Sequence, residues 1–380
     1  MEVVVVGAGV FGAWTALSLA QTGHQVTLLE RMGPGNELSS SAGESRIIRS
    51  AYGPDEVYTA MARRSLRLWT DFFRREDRID CFRETGVLWM AAVAERSVAQ
   101  ARGIFERLGI SHEWLDAGAI RKRYGQFEIP SDTVALFEPQ AGALLAERCI
   151  QAVMAAGRRA GVRYEIADVK PPVLAPSRLE CVETTDRRRF SADHFVFACG
   201  SWLPKLFDVL RGVIRPTRQD LLFFKVPESS DEFLPGKLPI WIDQTEPKMA
   251  YGFPDFGNGL KLGFHRLGPD LDPDQPRSAT SPAAVAEAAD YLASHLPGAR
   301  RAAIQTTQVC HYENTPNGDL LIDLHPGTDN VWLVGGGSGH GFKHAPALAE
   351  YVTNALSGSN GRELRFSLME KLNVVGGRVL

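Results

Sequence analysis

The sequence has little cysteine, no long apolar run and no excess of either charge sign. Its five cysteines are scattered over 380 residues without a Cys-x-x-Cys pair, which argues against a disulfide framework and a zinc site. Lys and Arg number 42 and Asp and Glu 45, so the formal net charge is −3. This balance argues against nucleic acid as a partner. No stretch approaches the roughly 20 apolar residues of a membrane span, so we expect no membrane anchor and no metal.

The chain also lacks recognisable targeting signals. The first apolar run, Val3–Val6, follows Met1 and Glu2 without a basic region or a small-residue cleavage site, so we expect no secretory signal. The final tripeptide, residues 378–380, is not a peroxisomal address. The sequence therefore predicts a soluble cytoplasmic protein, and its length predicts two domains or one elaborated domain.

The chain up to Glu30 reads as strand, glycine turn, helix and strand. The β-branched run ends at Gly7-Ala8-Gly9-Val10-Phe11-Gly12, a helical segment follows, and Gln25–Leu29 is a second buried strand before Glu30. In this pattern Gly7 allows a tight turn, Gly9 lets the backbone approach a pyrophosphate, and Gly12 allows close helix packing. An acid at position 30 suits a ribose diol and disfavours a 2′-phosphate. The pattern predicts binding of NAD or FAD.

A second strand, glycine turn and helix occur near the other end of the chain. Asn330–Val334 reads as a buried strand, residues 335–343 as a glycine-rich turn, and Pro346–Leu356 as a helix. An earlier apolar strand at Phe195–Phe197 stops at a turn that contains Cys199 and Gly200. Two glycine turns imply a nucleotide domain built from both ends of the chain, with a long ligand that meets the backbone twice. FAD fits this arrangement better than NAD.

The middle of the chain changes to short strands typical of an antiparallel sheet. These strands are predicted at 221–225, 239–242, 249–253 and 260–265, with another at 86–90, and helices at 58–74, 93–108, 146–160 and 282–296. We therefore predict an α/β fold with a Rossmann-like FAD-binding domain and an antiparallel α+β substrate domain. The expected FAD domain comprises residues 1–84, 141–215 and 306–380, and the substrate domain residues 85–140 and 216–305.

Two pairs of charged residues are candidates for chemistry. Lys261 and His265 share one face of a strand with Gly263 between them, which leaves a gap for a flat ring or a substrate. Arg46 and Arg49 follow a glycine hinge and suit bidentate capture of a carboxylate, although either residue alone would more often be solvated.

The C-terminal glycine turn also carries charge. A helix N-terminus disfavours added cations, so His340 and Lys343 indicate an anion nearby. Cys310, taken alone, reads as a small buried hydrophobe.

Together these segments resemble the monomeric sarcosine oxidase family over nearly the whole chain. The motifs that carry the resemblance are Gly7–Gly12, Ser45–Gly53, Tyr251–Pro254, Leu260–Gly263, Cys310–Tyr312, Ile322–Pro326 and Gly339–Lys343. Relatives of the family include N-methyltryptophan, pipecolate and fructosyl amino acid oxidases. The resemblance implies a fold of the glutathione-reductase and D-amino acid oxidase type, and a monomer.

The resemblance also implies roles for individual residues. It implies an FAD linked through an 8α-S-cysteinyl bond to Cys310, and a substrate carboxylate bound by Arg49 and Lys343. Lys261 would promote the reaction of the flavin with O2, while His265, Tyr251 and Tyr312 would line the amine side. Gly339 and Trp241 would complete the pocket, because Trp241 stands where the sarcosine enzymes carry a smaller side chain.

A longer set of residues is expected to contact the cofactor. Ser41-Ala42-Gly43 replaces a segment in which the family carries a histidine, so one flavin contact is expected to be missing. The expected contacts are Gly7, Gly9, Val10, Phe11, Gly12, Glu30, Arg31, Ser41, Ser45, Arg46, Cys199, Gly200, Cys310, Gly337, Gly339, His340, Gly341, Phe342 and Lys343.

The implied reaction is oxidation of N-alkyl or cyclic secondary amino acids. A carboxylate-bearing amine gives a hydride equivalent to the flavin, the imine hydrolyses, and O2 becomes H2O2. Nearby cations would favour the neutral amine by lowering its pKa. Two alternatives stay open: a dehydrogenase of the same fold with another electron acceptor, and a flavin-binding subunit without catalysis. The presence of Arg49, Lys261 and Lys343 argues against the second alternative.

Overall fold

The computed structural model describes residues 1–175, 177–226, 230–245, 249–275, 279–358, 361 and 363–376. The tripeptide 378–380 lies outside the described residues. Two large sheets, a three-stranded sheet and a two-stranded sheet of Cys181–Glu183 and Arg189–Ser191 occur in the described residues, and the predicted α/β class is confirmed by their arrangement.

The strands follow the chain as β1 (Glu2–Val6), β2 (Gln25–Glu30), β3 (Ser45–Ile48), β4 (Phe82–Arg83), β5 (Val87–Ala92), β6 (Glu113–Asp116), β7 (Thr133–Glu138), β8 (Gly142–Leu145), β9 (Arg163–Ile166), β10 (Cys181–Glu183), β11 (Arg189–Ser191), β12 (His194–Phe197), β13 (Arg215–Phe224), β14 (Ile240–Gln244), β15 (Ala250–Phe253), β16 (Leu260–Phe264), β17 (Ile304–Asn314), β18 (Leu321–Leu324) and β19 (Val331–Gly335).

The helices are α1 (Val10–Gln21), α2 (Glu56–Arg75), α3 (Arg96–Leu108), α4 (Ala117–Arg123), α5 (Ala146–Arg159), α6 (Leu203–Leu206), α7 (Pro282–His295), α8 (Ala345–Leu356) and α9 (Leu368–Gly376). Short 3-10 helices occupy Ile79–Cys81, Gly200–Trp202, Asp208–Leu210, Pro297–Ala299, Phe342–His344 and Leu364–Phe366.

The first large sheet is built from both ends of the chain, as predicted. Within the described ranges it has six strands in the order β18-β19-β12-β1-β2-β9, all parallel except β18. The valines of β1 are buried on both faces, because α1, α5 and α8 cover one side and a second apolar cluster covers the other. Such double burial is why β1 reads as a continuous apolar run. The glycine turns after β1 and β19 therefore lie at the same edge of this sheet.

The second large sheet is mostly antiparallel. Among the residues that the structure describes, it has eight strands in the order β17-β13-β16-β15-β14-β5-β7-β6, and only β14 and β5 run parallel. Leu260, Leu262 and Phe264 of β16 pack into an apolar core with α4 and α7. Because side chains alternate along a strand, Lys261 and Gly263 point to the opposite face. On that face Lys261 reaches Ser45 of β3.

A small antiparallel sheet of β3, β8 and β4 connects the two large sheets. Ser45 pairs with Leu145 and Ile48 with Gly142. Gly142 is required here, since a Cβ would lie 2.0 Å from the Arg83 carbonyl oxygen. The small sheet places Arg46 and Arg49 between the two large sheets.

Several predicted boundaries shift in the structure. The helix expected from Val93 begins at Arg96, because the Glu95 side chain accepts a hydrogen bond from the Ser97 N–H and caps the helix. The expected domain divisions after residues 215 and 305 fall inside β13 and β17, which pair along their full lengths. No helix in the described part of the chain is both long and apolar enough to cross a membrane.

Candidate functional site

Two cavities meet where the two large sheets face each other. The first cavity, of about 280 Å3, begins at the Gly7–Phe11 turn. The second cavity, of about 470 Å3, contains Arg49, Lys261 and Lys343. Both cavities are lined by Arg46, Cys310, Tyr312, Gly339 and Phe342. A ligand that extends from the glycine turn past Cys310 would therefore end at the boundary of the second cavity.

The glycine turn of the first cavity has strict steric requirements. Gly7 has φ +102°, and a Cβ there would lie 2.5 Å from the Ala198 carbonyl oxygen. A Cβ on Gly12 would lie 1.8 Å from the Gly7 carbonyl oxygen. Gly12 therefore acts by close packing beneath the cavity, as predicted, while Gly9 lines the cavity beside the start of α1. Ser41 Oγ accepts a hydrogen bond from the Val10 N–H at 3.0 Å.

Glu30 also lies on the wall of the first cavity. Its Oε2 accepts a hydrogen bond from the Ala8 N–H at 2.7 Å, and its Oε1 accepts one from the Met32 N–H at 3.1 Å. These bonds fix the carboxylate next to the glycine turn, where a ribose would lie. Farther along the wall, Arg31 pairs with Asp274 at 3.0 Å and packs on the Trp202 ring.

The first cavity contains buried polar atoms that need partners. Ser39 Oγ, Ser40 Oγ, Ser201 Oγ and Glu313 Oε2 are buried and have no hydrogen-bond partner among the described residues, and all four residues line this cavity. Leaving such groups unpaired is costly. The hydroxyl and phosphate groups of FAD would supply partners, so the residues present fit that cofactor.

The predicted cofactor residues divide between the two cavities. Gly7, Gly9, Val10, Phe11, Glu30, Arg31, Ser41, Cys199, Gly200, Gly337 and Gly341 line the first cavity. Arg46, Cys310, Gly339 and Phe342 line both, whereas Ser45, His340 and Lys343 line the second. Sequence reasoning missed Glu313 and Trp202. The turn after β12 was the available signal for Trp202, whereas alternation along β17 places Glu313 on the face opposite Cys310 and gave no signal.

Cys310 lies beside a fixed positive charge. Arg46 Nη2 is 3.6 Å from the Cys310 Sγ, and the guanidinium donates to the backbone carbonyls of Ser40, Ala42 and Ser45. Arg46 thus holds the 40–45 segment in place and positions its charge at the boundary of the cavities. Cys310 itself is 9% exposed and packs on Leu221 and Phe223.

Lys261 is a buried cation at the same boundary. Its Nζ donates to the Ser45 carbonyl oxygen at 2.9 Å and to Ser45 Oγ at 3.1 Å, and it lies 4.5 Å from the centre of the Phe253 ring. Burial, followed by the charge of Arg46, lowers the pKa of Lys261 to about 7. No carboxylate pairs with the ammonium among the residues described, so an anion in the cavity would stabilise its charge.

Arg49 has one unsatisfied donor in the second cavity. Its guanidinium lies between the Tyr52 and Trp89 rings, 4.9 and 4.8 Å from their centres, and its Nη1 has no partner in the described ranges. Glu138 stabilises the turn behind Arg49, because its carboxylate accepts two hydrogen bonds from the Ser50 N–H. Burial lowers the pKa of Arg49 and raises that of Glu138. A carboxylate ligand would satisfy the free donor.

Lys343 is the second cation of this cavity. Its Nζ donates to the Tyr52 hydroxyl at 2.7 Å and to the His340 carbonyl oxygen at 2.9 Å, which leaves one of three ammonium donors for a ligand. Burial, followed by the charge of Arg49, lowers the pKa of Lys343. The charge of each cation therefore makes the charged form of the other less favourable until an anion binds between them.

The hydrogen-bond partners of the two histidines around Tyr52 determine which of their ring nitrogens donate and which accept. His340 Nε2 faces the Gly318 carbonyl oxygen at 3.0 Å and must donate, so the Nδ1 of the neutral ring accepts from the Tyr52 hydroxyl at 3.2 Å. The Tyr52 oxygen then accepts from Lys343 and from His344 Nε2, which is 2.7 Å away. Burial lowers the pKa of His340 to about 3, which agrees with a neutral ring.

Aromatic side chains form the remaining wall of the second cavity. The gap at Gly263 is filled by Tyr251 from the next strand, since a Cβ at Gly263 would lie 2.7 Å from the Tyr251 hydroxyl. Gly339 has φ +80° and makes room for the Tyr312 ring, which a Cβ would approach to 2.4 Å. The ring of His265 is exposed within the cavity, 5.8 Å from the centre of the Tyr312 ring.

The expectation that Trp241 forms a pocket wall is corrected by the structure. Trp241 is fully buried in the core on the other face of the sheet, and its Nε1 donates to the Tyr291 hydroxyl at 3.1 Å. Gly252 on the neighbouring strand makes room for this ring. Because side chains alternate along β14, Ile242 and Gln244 face the cavity instead. Sequence reasoning missed Gln244 and also the ring of Tyr52.

Comparisons with known proteins agree with this geometry. Residues 2–355 match the family described as DAO, FAD dependent oxidoreductase. The chain is 32% identical over 379 residues to a monomeric sarcosine oxidase from Bacillus sp. (strain B-0618), covering 96% of this chain and 94% of the relative. It is 26% identical over 356 residues to N-methyl-L-tryptophan oxidase from Escherichia coli (strain K12), covering 93% and 94%. The fold superposes on L-proline dehydrogenase from P. horikoshii with a TM-score of 0.83 and 21% identity, covering 97% and 96%.

Proposed function

Since the chain belongs to the FAD-dependent oxidoreductase family and, within it, to the family of monomeric sarcosine oxidase, we propose that it oxidises N-alkyl or cyclic secondary amino acids. The observation that carries this proposal is the pair of cations in the second cavity. Arg49 and Lys343 each keep a donor free beside the boundary that the cavities share at Cys310. A carboxylate bound there would place the amine next to a flavin that extends from the first cavity.

The residues of the chain bind and orient the substrate. Arg49 and Lys343 hold the carboxylate, and their charges lower the pKa of the nearby amine, so the proton passes to water and the neutral amine is favoured. Tyr251 and Tyr312 cover the amine side and restrict access of water. When bound, FAD supplies the acceptor for a hydride equivalent from the carbon next to nitrogen and transfers the electrons to O2, which becomes H2O2. The resulting imine hydrolyses in water.

Several further properties belong to the same proposal. Lys261 supplies the positive charge that promotes the reaction with O2, and its burial among Phe223, Phe253 and Ser45 supports that role. Cys310 is the point of covalent attachment of FAD, which its place between the cavities supports. A monomer in the cytoplasm is proposed from the sequence and the family resemblance.

Anaerobic absorbance scans of the purified holoenzyme test the proposal. Sarcosine, L-proline, L-pipecolate, N-methyl-L-tryptophan and a fructosyl amino acid are added separately, and we expect at least one to bleach the flavin. If none of these compounds bleaches the flavin while dithionite reduces it normally, the result would contradict amine oxidation. The yield of H2O2 per turnover in air then separates an oxidase from a dehydrogenase.

A matched pair of variants tests the carboxylate site. Arg49→Lys keeps the charge but loses the planar group that stacks between two rings, so we expect kcat/KM to fall by about 100-fold. Arg67→Lys, on the exposed face of α2, makes the same chemical change and should leave kcat/KM within about twofold.

A further inference from the structure

The second cavity contains a polar group that the carboxylate site does not use. Gln244 is the last residue of β14 and lines the cavity. Its side-chain oxygen accepts hydrogen bonds from Trp89 Nε1 at 2.7 Å and from Ser97 Oγ at 3.2 Å. These two donors come from β5 and from the first turn of α3, so separate elements fix one amide.

The chemistry of the partners determines which way this amide faces. An indole N–H only donates, so the atom of Gln244 that lies 2.7 Å from Trp89 must be the oxygen. The nitrogen then occupies the other end of the amide. It makes no hydrogen bond within the part of the chain that the structure describes. Two N–H donors therefore remain available at the cavity wall.

The position of Gln244 relates it to the substrate. The register of β14 and β15 pairs Asp243 with Ala250, so Gln244 lies beside Met249, whose carbonyl oxygen accepts from the His265 N–H at 2.8 Å. Gln244 is thus at the same end of the sheet as His265, two strands away, or roughly 10 Å. The Trp89 ring that orients Gln244 also stacks on Arg49. The free N–H donors of Gln244 are therefore separated from the carboxylate site by the indole ring of Trp89.

The donors of Gln244 carry no charge, which favours a neutral partner for them. Asp55 and Asp319 both line the cavity and both pair with Arg365, at 2.7 and 2.6 Å. Arg365 is therefore already paired, and the proposed α-carboxylate takes Arg49 and Lys343. The uncharged amide of Gln244 compensates poorly for burying a second carboxylate, whereas a carbonyl or hydroxyl oxygen accepts from its N–H groups at a lower desolvation cost.

We propose that Gln244 determines specificity by binding a neutral oxygen acceptor on the part of the substrate beyond its amino acid group. The inference rests on the proposed function, because it takes Arg49 and Lys343 as the site of the α-carboxylate. It implies a substrate with an oxygen-bearing side chain or N-substituent, rather than sarcosine, as the best substrate.

The test compares two ligands of matched shape on the oxidised holoenzyme. The ligands 5-oxohexanoate and 5-methylhexanoate carry one carboxylate each and end in a fork of similar size, but only 5-oxohexanoate ends in a carbonyl oxygen, which accepts hydrogen bonds and cannot donate them. Dissociation constants come from the change in flavin absorbance on titration, with calorimetry as a second readout. Gln244→Glu keeps the size and the acceptor for Trp89 and Ser97 but removes both N–H donors.

We expect Gln244→Glu to shift the ratio of the two dissociation constants by about 10-fold against 5-oxohexanoate. The added charge affects both monocarboxylates alike and cancels in the ratio. Trp89→Phe keeps a ring beside Arg49 but releases the amide, so the ratio should shift partway. Ile242→Val changes the same wall without altering donors, and its ratio should match that of the wild type.

The outcomes separate this inference from the function it rests on. An unchanged ratio in Gln244→Glu, with both ligands still binding measurably, would overturn the role of Gln244 and leave the carboxylate site intact. Failure of both ligands to bind the wild type by either readout would contradict the carboxylate site, and the inference with it. Bleaching by amines tests the oxidation separately.

Discussion

The Tyr52 hydroxyl lies 2.7 Å from Lys343 Nζ. Tyr52, which follows Ser45 by seven positions in the sequence, therefore accepts a hydrogen bond from a lysine near the C-terminus. The Tyr52 ring also lies against the Arg49 guanidinium, 4.9 Å from its central carbon. One side chain therefore positions both cations of the proposed carboxylate site.

The first prediction is that Tyr52→Phe weakens substrate binding. The ring that supports Arg49 stays, while Lys343 loses a hydrogen-bond acceptor in a buried place, so we expect the Kd of the amino acid to rise about 10-fold. The limiting rate of flavin reduction should change less. Rapid mixing without oxygen measures both quantities.

Tyr58→Phe is the matched control for this prediction. The Tyr58 hydroxyl accepts from the Leu320 N–H at 2.9 Å, and its ring stacks on Tyr52. Its loss should lower the Tm and leave the Kd within about twofold. If the Kd of Tyr52→Phe also stays within about twofold of the wild-type value, the Tyr52 hydroxyl has no part in binding.

The second prediction concerns Lys261. Lys261→Met removes a buried positive charge at the cavity boundary, so reoxidation of the reduced flavin by O2 should slow by at least about 100-fold. Reduction by substrate should stay within about threefold, since Lys261 does not belong to the carboxylate site. Stopped-flow measurements of the two half-reactions separate these rates, and equal slowing of both would contradict the proposed role.

The third prediction tests the covalent link. Wild-type protein precipitated with acid should keep its yellow colour in the pellet, whereas Cys310→Ser should release FAD into the supernatant. Cys199→Ser is a close control, because Cys199 also lines the first cavity and its thiol donates to the Val6 carbonyl oxygen. Release of flavin from the wild type would show that the bond is absent.

The fourth prediction uses the buried carboxyl of Glu313, whose Oε2 has no hydrogen-bond partner among the described residues. Burial raises the pKa of Glu313 to about 7 although the Gly336 and Gly337 N–H groups face it, and it lines the first cavity. Above that pKa the carboxylate adds a negative charge to the wall of the first cavity, which would disfavour an anionic dinucleotide such as FAD. In a Cys310→Ser background, FAD affinity should therefore fall about fivefold or more from pH 6 to pH 8.

Glu313→Gln provides the comparison for this pH dependence. The amide resembles the protonated acid and does not ionise, so its FAD affinity should be nearly constant over the same range. Titration of the apoprotein with FAD, followed by fluorescence quenching, measures both proteins. Parallel pH profiles would assign the dependence to another group.

Much of the framework could be predicted locally. The strand at Val3–Val6, the glycine turn after it and the C-terminal turn before α8 all lie where the sequence indicated. Their patterns arise from requirements that act over a few residues, such as the steric limits at Gly7 and Gly12. The start of α3 was predicted three residues early, because a cap by Glu95 depends on side-chain geometry that periodicity does not show.

The site was predicted in part. Arg49, Lys261 and Lys343 do line one cavity, but the sequence gives no sign that Glu138 supports the turn after Arg49. Trp241 was placed on the wrong face of β14, since a shift of one residue in a strand exchanges the two faces. Because Trp241 faces the core, the alternation of side chains along β14 brings Gln244 to the cavity.

The sequence by itself determined the α/β class, the two glycine turns and the residue types available for FAD and carboxylate binding. These features follow from periodicity and from steric rules that operate within short segments. Only the tertiary structure decided which side chains share a cavity and which donors stay unpaired. Pairing of β13 with β17 and of β3 with β8 joins residues far apart in the chain, and burial among them sets the pKa of Lys261 and Glu313. Such burial depends on the packing of whole sheets, which no local pattern contains.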